Sequence, residues 1–259
     1  MKEHGILMSG PMVRAYLAGL KTQTRRTRGL DLINENPDAW KFHRLKLRED
    51  GSTQAVFERP IRTTLSETKW VKMPYGLAGD RLWFKETHAI ICREAIPTCP
   101  CETEEDEARN HYVEYRADTT NRYPGDWPEE EAKGNDEAPK WKPSIFMKRK
   151  YARIVTPIVS VRVERLHSIT PADVLAERIV RSEDGSWLGP LDGVKDFPYA
   201  HAHEAYFALW DHINGKTLPA KRNPWVWVYE FKPKDWERNF PWEEQIQPLV
   251  KGDNHVESV

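Results

Sequence analysis

The sequence of 259 residues is poor in cysteine, in long apolar runs and in net charge of either sign. Three cysteines, an odd number, argue against the disulfide framework of a small secreted domain. No segment approaches the roughly 20 consecutive apolar residues of a membrane helix. The first residues, Met-Lys-Glu-His-Gly, lack the apolar run of a signal peptide. We therefore expect a soluble, cytoplasmic protein without a membrane partner.

The net charge of −1 excludes the overall basicity of many nucleic-acid-binding domains. The charge is nevertheless unevenly placed, because the segment 2–28 is basic and contains a single acid, Glu3. Segments 102–107 and 126–137 are rich in acids. A local basic face on a nearly neutral protein is therefore consistent with the sequence.

The segment 15–26 carries the most concentrated chemistry. An apolar helical turn leads into a glycine and then into Lys21, Thr24, Arg25 and Arg26. An amine, a hydroxyl and two guanidinium groups suit a polar or anionic substrate such as a nucleotide. In a regular strand Lys21 and Thr24 would point to opposite faces, so they converge only if Lys21 belongs to the turn.

Turn and cap signals predict the elements around this segment. Ser9 is expected to cap a first helix, which ends near Gly19. Thr170, Pro171 and Asp173 predict a second helix start with a capping box. A third helix is predicted over 204–213, and strands are predicted over 5–8, 81–87, 112–117, 155–163 and 225–231. Pro157 predicts an edge position or a bulge in the strand 155–163.

Two side chains of the predicted strand 81–87 are candidate substrate contacts. Glu86 lies near the end of this strand, where it is placed to reach a site. Trp83 is a candidate for stacking on a base, as are Trp225 and Trp227. Their alternation with valine favours core packing for Trp225 and Trp227.

Three polar stretches interrupt this pattern and are interpreted as insertions, at about 30–70, 90–145 and 181–200. The first is expected to be only partly structured, around Trp40 and Phe57. We predict one elaborated domain over 1–232, followed by a C-terminal extension over 233–259.

Two further clusters have competing interpretations. A zinc site could use His88, Cys92, Cys99, Cys101 and His111, but Cys99-Pro100-Cys101 is tighter than the usual zinc spacing, so we expect no metal. The basic residues Lys148, Arg149, Lys150 and Arg153 could contact an RNA backbone or protect an edge strand by charge.

The combination of motifs resembles the ASCH domain family, whose small β-barrel is related to the PUA RNA-binding fold. The segments that carry the resemblance are Leu17-Ala18-Gly19-Leu20-Lys21-Thr22, Gly79-Asp80-Arg81-Leu82-Trp83 and Asn223-Pro224-Trp225-Val226-Trp227. The closest variety is that of the longer ASCH proteins of phages and prophages. The resemblance implies an α+β fold with a PUA-like small β-barrel, flanking helices and large insertions.

The smallest bacterial members of this family are amidohydrolases that remove the acetyl group from N4-acetylcytidine. By resemblance, their catalytic lysine, threonine and glutamate correspond to Lys21, Thr24 and Glu177. Thr24 would be the nucleophile, or would bind substrate while water attacks, and Lys21 would be the base. Glu177 would orient or shuttle the proton.

The resemblance leaves other functions open, namely a non-catalytic module that binds RNA or nucleotides and an RNA-cleaving enzyme. In each case the partner is a nucleoside or RNA, without a cofactor, and no protein partner is indicated. Arg25, Arg26, Glu86 and Trp83 are the candidate substrate-binding residues.

Overall fold

The computed structural model describes residues 1–62, 65–92, 111–119, 122–125, 133, 138–181, 185, 187–188 and 199–232. The helices are α1 (Gly10–Leu17), α2 (Asp31–Glu35), α3 (Pro171–Ala176) and α4 (Ala202–Asn214). The first six strands are β1 (Glu3–Leu7), β2 (Gln23–Arg26), β3 (Lys41–Leu47), β4 (Thr53–Arg62), β5 (Leu65–Lys72) and β6 (Arg81–Lys85). The other six are β7 (His88–Cys92), β8 (His111–Tyr115), β9 (Val155–Arg165), β10 (Val180–Arg181), β11 (Trp187–Leu188) and β12 (Trp225–Phe231). Short 3-10 turns lie at Pro37–Ala39, Ser144–Phe146, Arg149–Tyr151, Leu166–Ser168 and Ala220–Arg222.

The central element is a five-stranded mixed sheet in the order β1-β6-β9-β12-β2. Strands β1 and β6 are parallel, and the other neighbours are antiparallel. The fold is therefore α+β, as expected, but the predicted barrel does not close within the described residues. The contact described between the edge strands β1 and β2 is made by a side chain and not by a backbone ladder. Arg26 Nη2 donates to the carbonyl oxygen of Leu7 at 2.8 Å.

Strand β12 is buried on both faces and divides the core into two clusters. Trp227, Tyr229 and Phe231 belong to the cluster that includes Tyr16 of α1. The alternate side chains of β12 join the cluster formed by α3 and α4, which contains Val174, Tyr206, Leu209, Trp210, Val226 and Val228. The strict alternation that predicted this strand therefore reflects two different apolar layers.

Pro157 lies inside the sheet order, between β6 and β12, and not on an edge strand. Strand β9 pairs with β6 through Val155, Thr156 and Pro157, whereas its pairing with β12 begins only at Ile158. Proline lacks a backbone N–H, so it is tolerated where the strand has one partner at a time. Of the two predicted alternatives, an edge position holds only at the point where β9 changes partner, and the register of β9 with β12 shifts between Ile158 and Ser160, beside Pro157.

Residues 41–72 form a second sheet, which corrects the expectation of a partly structured insertion. The antiparallel strands β3, β4 and β5 pair over most of their length, with irregularities at Phe42/Arg44 and Pro60/Arg62. Phe57 is fully buried and contacts the ring of Trp225 at 5.3 Å between centroids. The inner face of this sheet is therefore continuous with the main core.

The hairpin of β7 and β8 is joined to the main sheet by a buried ion pair. Glu86 follows β6 and is 1% exposed, and Arg153 Nη2 lies 2.8 Å from its Oε2. The same guanidinium contacts Asp118 and lies 4.0 Å from the ring centroid of Tyr115. Burial raises the pKa of Glu86, although Arg153 acts in the opposite direction. Arg153 thus fastens the hairpin to the sheet.

The helix termini follow the turn chemistry with one exception. Gly19 has a φ of +73°, the left-handed conformation that glycine adopts easily after a helix. The Thr170 side chain accepts from the backbone N–H of Asp173, whose side chain accepts from the backbone N–H of Thr170, so the predicted capping box is present. Ser9 occupies the N-cap position of α1 but makes no side-chain capping hydrogen bond.

Several predicted features fall outside the described residues. These are the extension 233–259, Cys99 and Cys101, the acidic segment 102–107, and most of 126–137 and of 181–200. Within the described part of the chain, no helix is both long enough and apolar enough to cross a membrane.

We predict that Arg153→Met lowers the free energy of unfolding by about 3–5 kcal/mol, because Glu86 would remain buried without its cation. Arg149→Met is the matched control. Arg149 pairs with Glu3 through side chains that are 39% and 35% exposed, so its loss should cost about 0–1 kcal/mol. Urea unfolding followed by tryptophan fluorescence measures both variants. Equal losses would contradict a structural role specific to the buried pair.

Candidate active site

Lys21 lies in the connection between α1 and β2, and its side chain is fully buried. The turn at Gly19 precedes it, and the N–H of Thr22 donates to the carbonyl oxygen of Ala176 at 3.0 Å. Because this bond ties the connection to the end of α3, the Lys21 amine is directed at the residue that follows this helix. Lys21 therefore belongs to the turn. The spacing of segment 15–26 made this position the condition for Lys21 and Thr24 to converge.

Glu177 is the partner of Lys21. Lys21 Nζ lies 2.6 Å from Oε2 of Glu177 and 3.4 Å from its carbonyl oxygen. Glu177 is 4% exposed and occupies the C-cap of α3, where its N–H donates to the carbonyl oxygen of Asp173. Arg178 then adopts a φ of +67° and turns the chain away. Two residues about 150 positions apart thus form one buried ion pair.

Arg25 joins the same cluster from β2. Its Nη1 lies 3.3 Å from Oε1 of Glu177, and its Nη2 lies 2.8 Å from Glu164 and 3.4 Å from Asp173. The guanidinium also lies 5.7 Å from the ring centroid of Tyr206, a residue of α4. One arginine therefore holds three carboxylates from β9, from α3 and from the residue that follows α3.

Burial dominates the electrostatics of Lys21. It lowers the pKa of Lys21, and Arg25 and Arg26 act in the same direction, against the smaller opposing effect of Glu177. Burial alone would lower the pKa of Arg25 as well, but Tyr206 and the neighbouring carboxylates raise it. The cluster thus combines a permanent cation with an amine that is easier to deprotonate than an ordinary lysine.

Asp173 is held in its charged form. Burial would raise its pKa, but hydrogen bonds from Gln23 and Thr170 outweigh burial and keep this pKa well below the ordinary value. Arg162 contacts the same carboxylate through Nη2 at 2.7 Å and pairs with Glu164 through Nε at 2.9 Å. Asp173 therefore both caps α3 and anchors this helix to the sheet.

Thr24 lies on the other side of β2 from the carboxylates. Its neighbours Gln23 and Arg25 contact Asp173 and Glu177, so the alternation of a strand directs Thr24 to the opposite face. In the register of the sheet Thr24 pairs with Tyr229, whose ring lies in the core cluster of α1. The structure thus brings together Lys21, Glu177 and Arg25, with Thr24 across the strand.

The other three candidate residues have contacts of their own. Arg26 donates to Leu7 and to the sulfur of Met8, and both carboxylate oxygens of Glu86 bind Arg153. The ring of Trp83 covers β1, because a Cβ added at Gly5 would lie 2.6 Å from it. None of the contacts described for Glu86 or Trp83 reaches Lys21 or Glu177.

The candidate metal ligands give a mixed result. The register of β7 and β8 pairs Cys92 with His111, while Nδ1 of the buried His88 contacts the carbonyl oxygen of Glu86. Over the described residues, no group of three or more potential metal ligands is found. In the neighbouring basic cluster, Arg149 and Arg153 are engaged with acids of the chain itself.

Several described members of the network were not anticipated as site residues, namely Gln23, Arg162, Glu164, Asp173, Tyr206 and Glu230. Arg162 and Glu164 alternate with valines in β9, and this alternation resembles a strand with one solvent-exposed face. In the structure Asp173 of α3 contacts Arg162 on this face, although the Arg162 side chain is still 35% exposed. The capped helix that follows β9 within a few residues was the available signal.

Comparisons of the chain with protein-family models, with curated proteins and with solved structures found no match. The chemistry of the Lys21 cluster therefore follows from the side chains of the cluster itself.

We predict that the lowered pKa of Lys21 is visible in the pH dependence of stability. Between this lowered pKa and the ordinary value of 10.5, the unfolded state binds more protons at Lys21 than the folded state does. The free energy of unfolding of the wild type, relative to Lys21→Met, should therefore rise with pH in this window. Urea unfolding at several pH values above neutrality measures the difference.

Lys221→Met is the control, because Lys221 is exposed. This variant should differ from the wild type by a constant amount over the same pH range. A flat difference for Lys21→Met would mean that Lys21 stays charged up to its ordinary pKa, and would contradict the assignment.

Proposed function

We propose that this protein hydrolyses the amide bond of an acylated nucleobase or nucleoside, with N4-acetylcytidine as the model substrate. The observation that carries the proposal is the buried contact of 2.6 Å between Lys21 and Glu177. An amine whose pKa is lowered by burial gives up its proton more easily than an ordinary lysine, so Lys21 suits the role of a general base held in place by a carboxylate. The same proposal includes the resemblance to ASCH amidohydrolases. It also includes the relationship of the open sheet to the PUA-like fold.

In the proposed reaction, neutral Lys21 accepts a proton from the nucleophile as the nucleophile attacks the carbonyl carbon of the acyl group. The resulting ammonium returns the proton to the exocyclic nitrogen as the amide bond breaks. The net reaction consumes one water and releases the free amine and a carboxylic acid. Glu177 holds the amine in place and stabilises its protonated form. Arg25 is the guanidinium beside Glu177 in this scheme, whereas Arg26 lies on the Thr24 face of β2 and contacts Leu7.

Two nucleophiles fit this scheme. The Thr24 hydroxyl would form an acyl-enzyme that water then hydrolyses, whereas a water molecule would attack in one step. The position of Thr24 on the opposite face of β2 favours water, because the Thr24 side chain points away from Glu177.

We expect purified protein to convert N4-acetylcytidine to cytidine. Chromatography measures the cytidine that is formed. Lys21→Met should lower kcat/KM by roughly 100- to 10,000-fold, the usual range for loss of a general base. Glu177→Gln should lower it as well. The rate should rise with pH through an apparent pKa below 10.5. Lys221→Met should retain full activity.

Thr24→Val separates the two nucleophiles, because valine keeps the shape of threonine without the hydroxyl. Retained activity in Thr24→Val identifies water, and loss that is rescued in Thr24→Ser identifies the hydroxyl. No turnover by the wild type, or turnover that is unchanged in Lys21→Met, would overturn the proposal. Binding of RNA without a product would instead support the non-catalytic module, and Lys21-dependent RNA cleavage would support a ribonuclease.

A further inference from the structure

The outer face of the sheet β3–β5 is a surface that the proposed chemistry does not use. The side chains of Arg44, Lys46, Thr68, Trp70 and Lys72 alternate with inward-facing residues and are exposed. Trp70 is 41% exposed, although tryptophan is usually well buried. Trp70 lies on the edge strand β5 opposite the buried Val56, and its exposed fraction leaves part of the indole ring accessible to a ligand.

The register of the sheet places cations around this indole. Arg44, Val56 and Trp70 form one row across the three strands, and Lys46, Gln54 and Lys72 form the next. Lys46 Nζ lies 5.0 Å from the centroid of the Trp70 ring, so this contact crosses β4. Val56, the middle-strand member of the first row, is 2% exposed. The indole and its cations thus form one layer over the sheet.

The charge of this face is strongly positive. Arg48, beyond the end of β3, lies 6.0 Å from the Trp70 ring. Lys41 adds a further exposed cation in the row with Glu58 and Thr68. The outer face and the turn that follows β3 therefore carry five cations, namely Lys41, Arg44, Lys46, Arg48 and Lys72, against Glu58 on β4 and Asp50 in the turn, which interacts with Arg48 and Lys72. The whole chain has a net charge of −1, so this concentration is local.

We propose that the outer face of β3–β5, centred on Trp70, binds single-stranded nucleic acid. An exposed aromatic ring stacks on an unpaired base of any identity, and the surrounding lysines and arginines contact the phosphates. A rigid sheet presents both at fixed spacing. Duplexes hide the faces of their bases, so they cannot use the indole. The proposal does not depend on amide hydrolysis, since none of these residues belongs to the Lys21 cluster.

The test measures binding of fluorescein-labelled oligouridylate and oligothymidylate of about 12 nucleotides, a length within the range that such sites cover. Fluorescence anisotropy gives Kd at salt concentrations between about 50 and 200 mM. Trp70→Ala should weaken binding by about 5- to 150-fold, as expected from the loss of one base stack. Trp70→Phe should restore most of the affinity, because phenylalanine also stacks.

The double variant Lys46→Gln/Lys72→Gln tests the phosphate contacts. Each lost lysine should reduce the slope of log K against log salt by about 0.7. Lys216→Gln/Lys221→Gln removes two exposed lysines elsewhere and is the matched control, with no change of slope expected. Circular dichroism checks that all variants remain folded.

The proposal is overturned if no oligonucleotide binds, if a duplex of equal length binds as tightly as the single strand, or if Trp70→Ala binds like the wild type. Binding to anionic phospholipid vesicles without binding to oligonucleotides would also overturn it, in favour of a membrane surface. Because the readout is affinity, a failure of amide hydrolysis leaves this result unaffected, and a failure of binding leaves the hydrolysis test unaffected.

Discussion

The arrangement of the site depends on a lysine that has no contact with solvent. Removing an ammonium from water is costly, and only a close partner of opposite charge offsets the cost. Lys21 has this partner in Glu177 at 2.6 Å, and the position of Glu177 is set by where α3 ends. The capping box at Thr170 and Asp173 fixes the start of α3, and Arg25 holds Asp173 and Glu177 at the same time. A local cap, a helix terminus and a strand are therefore coupled through one buried charge.

The features that the sequence predicted correctly are those decided by neighbouring residues. The capping box at Thr170 and the left-handed Gly19 depend on a few adjacent positions, and the alternation of β12 is a short-range pattern. The features that failed depend on distant partners. Closure of a barrel requires two edge strands to pair, and no pattern of neighbouring residues specifies that pairing. The sheet β3–β5 escaped prediction because bulges interrupt its alternation and Trp70 lies on its outer face.

The candidate site shows the same division between local and distant information. Lys21 and Glu177 were named together only through the resemblance to ASCH amidohydrolases, and the structure places Lys21 Nζ 2.6 Å from the Glu177 carboxylate. Arg162 and Glu164 were missed because a polar alternation in a strand is normally exposed, whereas here Arg162 pairs with Glu164 and with Asp173 of α3. The alternation of β2 also separates Thr24 from the carboxylates. Residue types at a motif spacing therefore identify a cluster more reliably than they identify the role of each member.

The charges of this protein are segregated by environment, and this explains how a nearly neutral chain can present two different chemistries. Inside, Lys21 and Arg25 are matched by Glu164, Asp173 and Glu177, so their charges are largely neutralised at short range. Outside, the cations around Trp70 stand in a solvated layer with few acids, so their combined field extends for roughly a Debye length, about 8–10 Å. Charges that are matched and buried tune proton affinity, whereas unmatched charges in water attract polyanions. Net charge is therefore a poor guide to function here, and the distribution of the charges carries the information.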